Sequence, residues 1–238
     1  MKPDLQHQNN YSEKVMSLFS PLDFQPRLVM FDLDGTLVDS AGGIAIALNR
    51  ALGDLALPAV REEQVRLWVG RGASRLVHCV LEQQQSGDVE RLHELLLARF
   101  MARYQEDVAS ASTLYPGVTE MLAACRQADI RLACVTNKPY APARALLEAM
   151  DILEPFDLLL GGDSLAHKKP HPGALLHCLR HFEVAAEQAL MVGDSRNDVE
   201  AAQAAGIRVA ALSWGYNHGE PIEATRPDWL LESLAELL

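Results

Sequence analysis

The chain has 238 residues, of which 49% are hydrophobic and 22% charged, and its formal net charge is −11 at pH 7. This length and mixture describe a globular protein with one large domain, or one domain carrying a smaller insertion, and exclude long disordered stretches. The acidity, with no dense run of Lys or Arg, excludes nucleic acid as the expected partner.

Residues 1–26 read as a polar N-terminal extension whose apolar pieces are too short for a signal-peptide core. No later segment reaches the ~18 apolar residues of a membrane helix. Residues 27–31 (RLVMF) are a short apolar run with the look of a buried strand. Similar runs recur at 131–136, 156–160, 189–192 and 208–212, and segments of helical spacing separate them at 118–127, 141–150, 173–181 and 197–205. Gly206 closes the last of these as a C-cap signal. Strands alternating with helices predict an α/β fold with a doubly wound, Rossmann-like parallel sheet. The C-terminal WLLESLAELL reads as one more helix.

Between the first and second strands the sequence shows helical patterns at 44–52, 62–69, 73–82 and 89–104. A crossover needs only a dozen or so residues. The excess predicts an inserted helical subdomain over 43–114, with Gly42-Gly43 and Tyr115-Pro116-Gly117 as hinges and a core made of 27–42 and 115–238. Cys79, Cys125, Cys134 and Cys178 are scattered without a C-x-x-C pair, the pattern of free thiols in a reducing cytoplasm.

In such a sheet, ligands bind beyond the carboxyl ends of the strands, and the polar residues of this chain collect there. Asp32 and Asp34 end the first strand two residues apart, so both carboxylates face one pocket while Leu33 faces the core. One can act as nucleophile and its neighbour as general acid and then base. Asp194 ends another strand, and Asp198 follows at the start of a helix. If all four carboxylates converge, the site requires a hard divalent cation, and Mg²⁺ suits carboxylate, water and substrate phosphate ligands. Thr136 and Asn137 offer a hydroxyl and backbone N–H groups to phosphate oxygens, and Lys169 offers a charge for the transferring group. His177 and His181 lie four residues apart without a suitably spaced third ligand, and Trp68, Trp214 and Trp229 read as core.

Taken in order, DLDGT, VTN, KKP and GDSRND resemble the motifs of the haloacid dehalogenase superfamily over residues 27–213. The resemblance implies that Asp32 is the nucleophile and Asp34 the acid/base, with Thr136 and Lys169 on the phosphoryl group. It further implies Mg²⁺ on the Asp32 side chain, the Asp34 main-chain oxygen and Asp194, supported by Asp198. The insertion is similar to the helical cap of that family. Among its branches the phosphoglycolate phosphatases are most similar, through FDLDGTLVDS, LWVGRGASRLV, LYPGVTEML, VTNKP, KKPHPGALL and MVGDSRND. Arg71 stands where many members carry Asn. Arg71 and Arg75 are the expected cap residues for a substrate carboxylate.

The expected activity is therefore Mg²⁺-dependent hydrolysis of a phosphomonoester, with 2-phosphoglycolate as the implied substrate. The competing readings are a phosphatase or mutase for a small sugar phosphate and, in a different class, a phosphoacceptor signalling module. A small phosphorylated metabolite is the expected partner, without nucleic acid or membrane, for a monomer or homodimer.

Overall fold

The computed structural model describes residues 18–84 and 89–238. Six strands form one parallel sheet: β1 (Leu28–Phe31), β4 (Arg131–Val135), β5 (Leu158–Leu160), β6 (Ala189–Gly193), β7 (Arg208–Leu212) and β8 (Trp229–Leu231), in the order β5-β4-β1-β6-β7-β8. The two-residue strands β2 (Val38–Asp39) and β3 (Thr113–Leu114) pair separately as an antiparallel ribbon.

Period-two alternation sorts the strand side chains between two apolar layers. Val29 and Phe31 of β1, Leu132 and Cys134 of β4, and Leu190 and Val192 of β6 enter one layer, under α5 (Val118–Gln127) and α6 (Tyr140–Ala149). Leu28, Met30, Ala133, Val135, Ala189 and Met191 enter the other, under α7 (Gly173–Phe182) and α8 (Arg196–Ala205). With β1 central and covered on both faces, all four of its residues are apolar and buried. This is the doubly wound α/β arrangement that the sequence predicts.

The insertion is helical as expected: α1 (Ala41–Asp54), α2 (Glu62–Trp68), α3 (Ala73–Gln83) and α4 (Val89–Glu106) pack around their own apolar cluster, which includes Leu48, Val65, Leu76, Leu96 and Phe100. Its junction with the core is a paired ribbon. Val38 lies opposite Leu114 and Asp39 opposite Thr113. Gly42 and Gly43 fall inside the first turn of α1, and a Cβ on Gly43 would collide with the Ser110 carbonyl oxygen. Gly43 thus permits a close crossing of the two connecting segments. Tyr216 secures the same place: Ser40 and Ala41 donate their N–H groups to its hydroxyl oxygen at 3.1 and 3.2 Å, and the hydroxyl donates to Asp39.

Two expectations are corrected at the chain ends. The C-terminal segment is not one helix, because Trp229–Leu231 extends the sheet beside β7 and only Leu234–Leu237 turns, as a 3-10 helix capped by Ser233. Edge pairing with β7 outweighs the helical propensity of this Leu-rich stretch. The polar extension also ends earlier than Pro26. Residues 1–17 lie outside the described residues, but Leu18, Phe19 and Leu22 are buried in the core, and Phe19 donates its N–H to Leu237 O at 2.6 Å. Phe24 stacks on Trp229 with ring centroids 6.0 Å apart. No described helix is long and apolar enough to cross a membrane.

Since Phe19 is fully buried, Phe19→Ala is expected to lower stability by about 3–5 kcal/mol in chemical denaturation. A loss under about 0.5 kcal/mol would mean that the segment contributes nothing to the core.

Candidate active site

Strand β1 runs directly into Asp32-Leu33-Asp34-Gly35, and its central place in the sheet puts this turn between the ends of β4 and β6. Leu33 is fully buried in the core, while Asp32 and Asp34 line a cavity between the sheet end and the helical insertion. The strand-end geometry read from the sequence is thus observed. Gly35 has φ +89°, and a Cβ there would strike the Asp194 carboxyl group, so the turn can close against β6 only with glycine.

Asp32, Asp194 and Asp198 present carboxylate oxygens that all lie within 4.8 Å of one another, the one such cluster of potential metal ligands among the described residues. Thr36 donates its hydroxyl to Asp194 Oδ1 at 2.6 Å, and Tyr216 donates its N–H to Asp194 Oδ2 at 2.5 Å. Asp198 is committed on both oxygens. Its Oδ1 accepts from Lys169 Nζ at 2.6 Å, and its Oδ2 accepts from Ser195 N and Oγ at 3.1 and 2.6 Å, closing a capping box at the start of α8.

Lys169 is buried and also donates to the Val135 carbonyl at 2.5 Å. It also forms an ion pair with Asp32, 3.0 Å from Oδ1. Burial alone would lower the pKa of the Lys169 ammonium; the Asp198 and Asp32 carboxylates outweigh it and keep the group charged.

The Asp34 side chain stands apart from the other three carboxylates. Its carboxylate accepts from Ser40 Oγ at 2.6 Å and from Lys138 Nζ at 2.9 and 3.1 Å. The four carboxylates therefore form a cluster of three plus one ion pair. Lys138, buried at the end of β4, was missed. Its signal in the sequence is its place directly after Thr136 and Asn137, beyond the same strand end. Tyr104, whose ring lies 4.6 Å below the Lys138 ammonium, gave no such signal, because an aromatic residue inside a helix reads as core.

Thr136 and Asn137 also line the cavity. The Thr136 N–H donates to Leu160 O at 2.9 Å, and its hydroxyl oxygen accepts the Lys138 N–H at 3.2 Å, which leaves the hydroxyl proton to donate. The Asn137 side-chain amide donates to Gly70 O at 2.8 Å and to Lys169 O at 2.9 Å, tying the insertion to the core. Asn197 Nδ2 reaches the same Gly70 carbonyl at 3.1 Å, and Lys168 Nζ reaches Arg71 O at 2.6 Å. The structure does not bring Arg71 or Arg75 into the cavity lining. Arg71 is exposed, and Arg75 runs along α3 to within 3.5 Å of Glu82. The glycines on either side of Arg71 face the cavity instead.

Burial pushes the Asp32 carboxyl up to about 7; Lys169 pulls it down, and the charge of Asp198 adds to the rise. Asp194 is likewise raised by burial, then by Asp198 and Asp32. Four buried carboxylates face two buried ammonium groups, a deficit of two positive charges. A divalent cation matches that deficit, and the clustered oxygens of Asp32, Asp194 and Asp198 are the all-oxygen donor set of a hard metal. The residues therefore fit a metal site.

The haloacid dehalogenase-like hydrolase family profile matches residues 29–212. A phosphoglycolate phosphatase from Nitrosococcus oceani is 41% identical over 214 residues, which is 90% of this chain and 95% of that protein. One from Pseudomonas putida is 45% identical over 215 residues, 90% of this chain and 79% of the other. The crystal structure of a predicted phosphoglycolate phosphatase from Haemophilus somnus superposes with a TM-score of 0.86 at 37% identity, covering 91% of this chain and 98% of that one. The chain belongs to the haloacid dehalogenase-like hydrolase family.

The raised carboxyls carry a pH consequence. With the native pKa of Asp32 near 7 against an ordinary 3.8, its contribution to metal-free stability is full below pH 3.8 and is lost as pH rises through about 7. A bound cation replaces the competing protons. The rise in melting temperature on adding a divalent cation is therefore expected to be larger at about pH 8 than at about pH 5.5. An equal or smaller rise at the higher pH would speak against metal binding by these carboxylates.

Proposed function

We propose that the chain hydrolyses 2-phosphoglycolate to glycolate and phosphate, passing the phosphoryl group through Asp32. The observation that carries this reading is Asp32 itself, a buried carboxylate on the cavity wall, ion-paired with Lys169 at 3.0 Å and clustered with Asp194 and Asp198. The phosphoglycolate phosphatases related to it over nine-tenths of its length support the choice of substrate.

In this reading Asp34 enters the cycle carrying a proton; the Asp32 carboxylate attacks phosphorus, the P–O bond to the leaving group breaks, and that proton passes from Asp34 to the departing oxygen. Asp34 then takes a proton from water as that water attacks the aspartyl-phosphate, releasing phosphate and restoring Asp32. Lys169 and the Thr136 hydroxyl hold phosphoryl oxygens, and Asp198 keeps Lys169 in place. Mg²⁺, held by Asp32, Asp194 and the Asp34 main-chain oxygen, would supply positive charge to the phosphoryl group and keep Asp32 ionised. The insertion, fastened over the site through the carbonyls of Gly70 and Arg71, excludes bulk water from the reacting atoms.

A second reading, a small sugar phosphate as substrate, draws on CbbY from Rhodobacter sphaeroides, solved in complex with xylulose-(1,5)bisphosphate, which superposes with a TM-score of 0.72 at 27% identity. Steady-state kinetics decide between the two. The expected result is a kcat/KM for 2-phosphoglycolate at least about tenfold above that for pentose or hexose phosphates, with activity lost in EDTA and restored by Mg²⁺. Faster turnover of a sugar phosphate would replace the substrate. Asp32→Asn is expected to remove turnover to the detection limit while keeping the melting transition, and appreciable activity in that variant would remove Asp32 from its role.

A further inference from the structure

Among the residues lining the cavity, Lys138 is the single Lys, Arg or His. The wall supplied by the insertion is otherwise apolar around it, with Ile44, Leu76 and Phe100. The exception on that wall is Tyr104, which is buried, lines the cavity and has a hydroxyl without a hydrogen-bond partner among the described residues. That hydroxyl, and the one direction of the Lys138 ammonium that Asp34 does not take, can both donate to an anionic group entering the cavity.

The position of Lys138 sets the reach of that site. Its Nζ is 2.9 and 3.1 Å from the two oxygens of Asp34, the group that meets the ester oxygen in the reading above. Its ammonium has three protons, and Asp34 occupies two directions. Ser40 also donates to Asp34, so Asp34 does not depend on Lys138 alone. If Asp34 meets the ester oxygen, an anionic group one carbon from that oxygen would stand beside Lys138, and one several carbons away would meet Ile44, Leu76 and Phe100.

We infer that Lys138 and Tyr104 form the subsite for the second anionic group of the substrate, selecting short phosphorylated acids whose carboxylate stands one carbon from the phosphoester. This rests on the phosphatase reading and moves carboxylate recognition from Arg71 and Arg75 to a lysine of the core and a tyrosine of the insertion. Lys138 and Tyr104 are specificity residues: they bind the part of the substrate that does not react.

The test compares 2-phosphoglycolate with 2-hydroxyethyl phosphate, a neutral-tailed analogue of similar size, using the full chain with Mg²⁺. The wild type is expected to prefer the acid. Lys138→Met should lower the ratio of the two kcat/KM values by about tenfold or more. Tyr104→Phe keeps the ring against Lys138 and should lower the ratio by about threefold or more, chiefly through KM for the acid. This second variant remains informative if Lys138→Met does not fold. A lysine that merely supported Asp34 would depress both substrates equally, so an unchanged ratio in the folded variants overturns the subsite and leaves the phosphatase reading intact. A wild type indifferent to the carboxylate overturns both the subsite and 2-phosphoglycolate as substrate.

Discussion

A carboxylate taken out of water costs several kcal/mol unless opposite charge and hydrogen bonds compensate it, and this chain buries Asp32, Asp34, Asp194 and Asp198 together at one end of its sheet. Much of the surrounding architecture follows from that cost. Lys169 is buried against Asp198 and Asp32, Lys138 against Asp34, and Thr36, Ser40, Ser195 and the Tyr216 N–H each donate to one of the four. The charge left over is what a hard divalent cation neutralises.

Such a cluster can be held only by a rigid frame, and the parallel sheet supplies it. β1, β4 and β6 are adjacent and in register, so Asp32, Thr136 and Asp194 emerge at one end of three neighbouring strands. The apolar layers on both faces hold those strands in place. Glycine at position 35 then lets the turn after β1 press against Asp194. Packing and catalysis are thus coupled through backbone position rather than through any single strong contact.

The insertion completes the site from the other side. Asn137, Asn197 and Lys168 of the core reach its backbone carbonyls at Gly70 and Arg71, contacts that do not depend on the side chain at position 71. Tyr104 enters the cavity from α4 and meets Lys138 from the core. A boundary drawn between two subdomains therefore runs through the middle of the functional unit.

Local pattern in the sequence was enough for the alternation of strands and helices, the four helices of the insertion, and the placing of Asp32, Thr136 and Asp194 at strand ends. Apolar periodicity and strand-end position are properties of neighbouring residues. They survive without knowledge of what lies across the molecule. The pairing of charges was not readable in this way. Asp34 meets Lys138 across 104 residues, and Lys169 meets Asp198 across 29. The same limit explains the chain ends: Trp229–Leu231 is a strand because β7 offers it a free edge, and Phe19 is core because Leu237 and the first apolar layer receive it. It explains the arginines as well, since their presence near glycines was legible but the direction of their side chains was not. Composition and period determined which elements form and where reactive groups cluster; only the folded chain decided which of those groups compensate one another, because electrostatic and packing partners are chosen by distance in space and not by order along the chain.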